Sequence, residues 1–209
     1  MKSKNHNIDI WRCIVRATSE RSLLSQQILN LQGMSSRKCR HLLNNLTREA
    51  TGYLEVGVWK GSTFISACYR NHTPAYACDN FSEFHGTWNG FKENVTNCMP
   101  CRKFEFCNGN FNNVITTDKI PNNSIDLFFY DGGHSEVDHY NSIMNAYRML
   151  KNSFVLVVDD WNCPEARYGT ERGISQAGLS IRRTWELPAV DNGDLELWWN
   201  GVGVFDVRK

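Results

Sequence analysis

Apolar positions along the chain fall into two regimes. Up to residue 50 they recur at helical spacing, as Ile8, Trp11, Ile14 and Val15, then Leu23, Leu24, Ile28 and Leu31, then Leu42, Leu43 and Leu46. Gly33, the only glycine in that stretch, is placed to end the second helix, and Ser35-Ser36 to open the third. From Gly52 onward short apolar, β-branched or aromatic runs alternate with helical segments. Strands are expected at Tyr53–Val58, Ala75–Asp79, Lys103–Cys107, Ile125–Tyr130 and Phe154–Val158. Helices or helical turns are expected at Ser62–Arg70, Trp88–Val95, Phe111–Thr117 and Val137–Leu150. Leu127–Tyr130 and Val155–Val158 show no polar alternation, which indicates burial on both faces. Repeated β–α units of this kind imply an α/β fold, a parallel sheet wrapped by helices. The tail breaks the rhythm. After a helix near Ile174–Arg182, strands at Thr184–Val190 and Leu197–Val207 flank Asp191-Asn192-Gly193-Asp194, a hairpin signal that predicts a closing antiparallel pair.

Composition narrows the partners. The 209 residues carry 23 Lys+Arg against 22 Asp+Glu, so the electrostatic footprint of a nucleic-acid or anionic-membrane binder is missing. No apolar run is long enough to span a bilayer, and Met1–Asn7 has a positive start without the apolar stretch of a signal peptide behind it. The eight cysteines then read as reduced thiols, and a cytoplasmic location is expected. Cys98 and Cys101 form a C-x2-C pair with Cys107 nearby, but no second ligand pair at zinc spacing follows.

Chemistry concentrates at the strand ends. The first strand runs into Glu55-Val-Gly57-Val-Trp59-Lys-Gly61-Ser62-Thr63: an acid, two glycines in a tight turn, then a helix start. Such a turn admits close approach of a ligand, and the helix N-terminus favours a negative group. The pattern E-x-G-x-x-x-G is not the G-x-G-x-x-G of dinucleotide binders. Asp79 ends the second strand, where it can accept from ribose hydroxyls, and Asn110-Phe111 follows the third, where an amide and a ring can face an adenine.

The fourth strand runs into Asp131-Gly-Gly-His134 and the fifth into Asp159-Asp160-Trp161. In a parallel sheet these ends share one edge, so three carboxylates and an imidazole converge. Their mutual repulsion calls for a cation or protons, and oxygen donors suit Mg2+ or Mn2+ better than zinc. The plainer alternative is that Asp159-Asp160 cap a loop and His134 is a turn residue. Trp88, Trp161, Arg167 and Tyr168 are candidates to line an acceptor cleft, or are ordinary loop and core residues. His139 is read as solvated or structural.

Residues 52–161 resemble the core of class I S-adenosylmethionine-dependent methyltransferases. Leu54–Thr63 is similar to their first motif, Ala77–Phe81 to the second, and Gly109–Phe111 to the adenine-side segment. The resemblance implies a Rossmann-like, doubly wound, mostly parallel seven-stranded sheet with a C-terminal antiparallel hairpin and extra N-terminal helices. It divides the chain into a helical cap, residues 1–50, and a methyltransferase domain, residues 51–209. It puts Gly57 and Gly61 at the methionine part of the donor, Asp79 at the ribose, and Asn110 and Phe111 beside the adenine. Glu55, Trp59, Ser62, Thr63, Asn80 and Asp131 complete the implied donor set.

The D-G-G-H and D-D segments resemble those of metal-dependent sugar O-methyltransferases of the macrocin and mycinamicin type, and the compact chain resembles glycan methyltransferases of large algal viruses. On that likeness Asp131, Asp159 and Asp160 hold magnesium, and His134, with Asp131 beside it, is catalytic as the base. The implied acceptor is a sugar hydroxyl, such as that of rhamnose or another deoxyhexose in a glycan or small molecule, in host cytoplasm if the source is viral. The plant caffeoyl-CoA type shares the metal logic but has Lys at the position of His134, so a catechol-like phenol is the alternative. An NAD-dependent oxidoreductase or a non-catalytic nucleotide-binding module would share the sheet without this cluster. The apolar N-terminal helices are expected to cover the site edge or to join two copies as a homodimer.

Overall fold

A computed structural model describes residues 8–111 and 119–209. The elements are α1 (Ile10–Thr18), α2 (Gln26–Leu29), α3 (Arg37–Glu49), β1 (Tyr53–Val56), α4 (Ser62–Cys68), β2 (Ala75–Asp79), α5 (Trp88–Cys98), β3 (Glu105–Asn108), β4 (Ile125–Tyr130), α6 (Glu136–Ala146), β5 (Leu150–Val158), α7 (Pro164–Gln176), β6 (Ser180–Leu187) and β7 (Val202–Arg208). Seven strands form one sheet in the order β3-β2-β1-β4-β5-β7-β6. Strands β1 to β5 pair in parallel, and β7 runs antiparallel between β5 and β6. The expected Rossmann-like, mostly parallel sheet with a closing antiparallel pair is present. The expected helix Phe111–Thr117 lies, apart from Phe111, outside the described residues.

Side chains alternate between two cores, one on each face of the sheet. Tyr53, Ala77, Phe129, Val157 and Val204 point to the face covered by α1, α3, α4 and α5. Leu54, Cys78, Phe128, Leu156 and Phe205 point to the face covered by α6 and α7. The N-terminal helices are therefore part of the packing of one sheet face rather than an attachment to a finished core. Asn44 Nδ2 on α3 donates to the carbonyls of Ser66 and Tyr69, and Asn71 Nδ2 donates back to the Asn44 carbonyl. Buried Arg40 donates to the carbonyls of Leu29 and Leu31 and fastens the turn around Gly33.

Several boundaries depart from the sequence pattern. Helix α1 buries Ile10, Cys13, Ile14 and Ala17, and leaves Trp11 and Val15 exposed, so the true stripe is offset from the expected one. The expected helix over residues 174–182 is the end of α7 and the start of β6. Pro164 at the first turn and Gly178, at φ +66°, mark the real bounds of α7. Strand β5 begins at Leu150, where a helix end was expected, and β3 is shifted to Glu105–Asn108. The Asn192-Gly193 segment is not a tight hairpin. It belongs to a longer connection, residues 188–201, whose end folds back on the β5 exit: the Trp161 and Asn162 amides donate to the Gly201 and Asn200 carbonyls. That competition takes residues 197–201 out of the expected strand. No described helix is long and apolar enough to cross a membrane.

Candidate active site

Neighbouring strands β1 and β4 feed connections to opposite sides of the sheet, which opens a crevice at their carboxyl ends. A cleft of about 520 Å³ lies there. Its floor depends on Gly57, whose φ is +88°: a Cβ would stand 1.7 Å from the Asp131 carbonyl oxygen. The space on the Cβ side of that glycine is filled by the chain after β4, while Gly57 itself lines the cleft. The Asp131 amide in turn donates to the Val56 carbonyl, locking the two strand ends together.

Asp79 lines the cleft at the end of β2. Its carboxylate accepts from the amides of Trp59 (2.7 Å) and Phe81 (2.6 Å), so one side chain pins the turns after β1 and β2. Trp59, Ser62, Thr63, Asn80, Asn110 and Phe111 join it on the cleft wall, with Phe111 stacked on Phe128 at 6.2 Å.

Two of the expected donor residues stand elsewhere. Gly61 caps α4 at φ +87° with its open side toward Phe91. Glu55 is fully buried below the cleft, accepting from Thr63 Oγ1 (2.5 Å) and the Tyr53 hydroxyl. Burial pushes its carboxyl up to about 8 despite those donors.

The register Tyr130↔Val158 sets Asp131 and Asp159 side by side, and Asp160 follows in a left-handed conformation, φ +54°. One oxygen of each of the three carboxylates lies within 4.8 Å of the others. Asp159 and Asp160 are buried. Asp131 and Asp159 hydrogen-bond to each other, and both are held well above the usual carboxylate range, first by burial and then by repulsion from neighbouring carboxylates. Asp160 uses one oxygen to accept from Asn200 Nδ2 (2.6 Å) and the other to meet His134 Nε2 (3.1 Å). Three converging hard oxygen donors, two of them on buried residues, fit a small divalent cation such as Mg2+ or Mn2+, which would relieve their mutual repulsion.

The structure thus brings Asp131, His134, Asp159 and Asp160 together at one end of the cleft. It does not do so for Trp88, Trp161, Arg167 and Tyr168. Trp88 packs on Phe106 at 4.4 Å, and buried Trp161 donates to Glu186. Arg167 donates to the Trp161 carbonyl, and Tyr168 is exposed away from the cleft. Their place is taken by Met34, Phe84, Trp199 and Asn200. No local pattern marks these four, because they come from three loops distant in sequence. His139 is buried rather than solvated, edge-on to Tyr130 at 5.0 Å, and burial lowers it to about 4. The cysteines are free thiols, and Cys107 is a buried residue of β3.

The family model described as a methyltransferase domain matches residues 54–161, slightly more than half of the chain. No curated protein sequence is a significant match. Among solved structures, an O-methyltransferase from Bacillus cereus in complex with SAH is similar at TM-score 0.62 and 13% identity, over 97% of this chain and 92% of that one. TomG, an O-methyltransferase from Streptomyces achromogenes involved in tomaymycin synthesis and solved with SAM, gives 0.61 and 17% over 100% and 92%. A putative RNA methyltransferase from Pyrococcus horikoshii gives 0.57 and 11% over 96% of each chain. The likeness at these identities is one of fold, and it spans more than one acceptor class.

Proposed function

The chain belongs to the methyltransferase-domain family, and from that premise we propose that it is an S-adenosylmethionine-dependent O-methyltransferase acting on a sugar hydroxyl. One observation carries the reading: Asp131, Asp159, Asp160 and His134 gather in the same cleft as Asp79 and Asn110. The donor end and a proton-removing end are one continuous space.

The sulfonium donor brings a methyl group that is already activated, so the remaining need is an aligned and deprotonated oxygen. Each pKa unit between an alcohol and the working pH costs about 1.36 kcal/mol, which makes free alkoxide scarce. A divalent cation held by Asp131, Asp159 and Asp160 would stabilise negative charge on the acceptor oxygen. His134, half exposed at the cleft, takes the hydroxyl proton, and Asp160 at 3.1 Å orients the imidazole and stabilises it once charged. Asn200 holds Asp160 in turn. Asp79 receives the ribose hydroxyls on the lone pairs that the Trp59 and Phe81 amides leave open. Carboxylate-held cations favour acceptors with two neighbouring oxygens, as in a deoxyhexose such as rhamnose. A catechol meets the same requirement and is the competing outcome.

The test is transfer of labelled methyl from S-adenosylmethionine to a panel of sugars and catechols, with and without EDTA. Transfer to an oxygen, lost in EDTA and restored by Mg2+, is expected. Transfer to a nucleic acid alone, or failure to bind S-adenosylhomocysteine by calorimetry, would overturn it.

A further inference from the structure

The wall of the cleft carries a charge pattern that bears on the acceptor. Asp79, Glu83, Asp131, Asp138, Asp159 and Asp160 all line it, and among the described residues no Lys or Arg does. Nearby cations are turned to other partners. Lys60 lies over the Trp59 ring at 4.5 Å and donates to Gln32, Lys38 donates to the Glu196 carbonyl, and Arg167 donates to the Trp161 carbonyl. Glu83 and Asp138 lie outside the three-carboxylate cluster, so a cation bound there leaves them as further negative charge on the wall. Phosphate recognition relies on Arg or Lys forks or on helix N-termini. Two helix N-termini reach the wall: that of α4, at Ser62 and Thr63, lies at the donor end next to Asp79, and that of α6 is closed by its own capping box, with the Asp138 carboxylate accepting from the Ser135 amide and hydroxyl.

Apolar and aromatic side chains share the wall with these carboxylates. Phe84 is 54% exposed, its ring centroid 6.3 Å from that of His134, and its carbonyl accepts from Trp59 Nε1. Met34 enters from the N-terminal segment and Trp199 from the connection before β7. Among the described residues no cationic side chain is offered to an acceptor here. A flat apolar face beside hydroxyl-binding carboxylates is.

We propose that Phe84, Met34 and Trp199 form the acceptor platform, and that it takes an uncharged ring bearing neighbouring hydroxyls and excludes phosphate-bearing acceptors such as nucleotide-activated sugars and coenzyme A thioesters. This rests on the O-methyltransferase reading. Specificity comes from repulsion as much as from contact, since like charge in a partly desolvated cleft is strongly unfavourable. Phe84 is the exposed member of the platform and stacks against the ring next to His134.

The experiment compares matched acceptors with the full chain, Mg2+ and S-adenosylmethionine: methyl rhamnoside against a nucleoside-diphosphate rhamnose, and catechol against caffeoyl-CoA. Binding of each, with S-adenosylhomocysteine present, is measured in parallel by calorimetry. The neutral member of a pair should be favoured at least about tenfold in kcat/KM or in affinity. Phe84→Ala should weaken use or binding of the neutral probe roughly 2- to 10-fold, through KM rather than kcat, with S-adenosylhomocysteine affinity unchanged. Equal or better use or binding of a phosphate-bearing member overturns the proposal. Binding of none of the four probes overturns it too, as does an unaffected Phe84→Ala. Loss of S-adenosylhomocysteine binding in the wild type would instead strike the methyltransferase reading itself.

Discussion

His134 Nε2 lies 3.1 Å from Asp160 Oδ2, joining the imidazole to the carboxylate cluster in one hydrogen-bonded unit. On the proposed mechanism, the side chain that would remove the proton is thereby oriented by a side chain that would help hold the cation. His134→Ala should lower turnover roughly 10²–10⁴-fold, the scale of a lost general base. S-adenosylhomocysteine affinity and Mg2+ affinity should stay within a few-fold of wild type. An unimpaired variant in a steady-state methyl-transfer assay would remove His134 from the base role.

Asp159→Asn should act differently. It removes a charged hard ligand, so the Mg2+ concentration for half-maximal activity should rise at least about tenfold while the His134-dependent limb of the pH profile remains. Full wild-type activity in EDTA would remove the cation from the reaction and leave His134 as a metal-free base.

Gly57→Ala should destabilise the fold by about 2–4 kcal/mol, from overpacking together with a left-handed backbone. The new methyl group would stand 1.7 Å from the Asp131 carbonyl oxygen. Thermal unfolding should report this, and activity should fall with Asp131 displaced even at temperatures where the variant stays folded. A variant with unchanged Tm and turnover would contradict the close approach of the β1 and β4 turns.

Glu55 gives a pH dependence with a definite sign. Its folded pKa is raised to about 8 by burial, so between the ordinary carboxylate range and pH 8 the native state binds more protons than the unfolded chain. Stability contributed by the protonated group is present at low pH and is lost as pH rises through about 8. Wild-type Tm should fall from pH 6 to pH 8.5, and Glu55→Gln should flatten that slope. A Tm that rises over the window in wild type, with the same slope in the variant, would refute it.

Deleting residues 1–30 should abolish cooperative unfolding rather than only change oligomeric state. Ile10, Cys13, Ile14, Ala17 and Ile28 share one core with Leu42, Phe64 and Phe129, and Arg40 would lose the Ile28 and Leu29 carbonyls. Differential scanning calorimetry of the truncated chain decides it. A sharp transition near the wild-type Tm would mean that the core closes without α1 and α2.

What the sequence determined by itself was whatever local pattern encodes. Unalternated runs such as Leu127–Tyr130 mark strands covered on both faces, and the order of strands and helices then leaves few topologies for a parallel sheet. Parallel pairing also carries Asp79, Asp131 and Asp159 to one edge, so the cluster was legible before any distance was known.

Only the tertiary structure decided what depends on competition between distant segments. Gly57 lines the cleft as the glycine turn suggested, but that its missing side chain also makes room for the Asp131 carbonyl is seen only in the fold. Residues 197–201 looked like strand and instead bond the β5 exit, bringing Asn200 to Asp160. Met34, Phe84 and Trp199 carry no mark in their own neighbourhoods, because a cleft wall is made by loops that meet in space. Periodicity reports which face of an element is buried; it holds no record of which loops meet above the sheet.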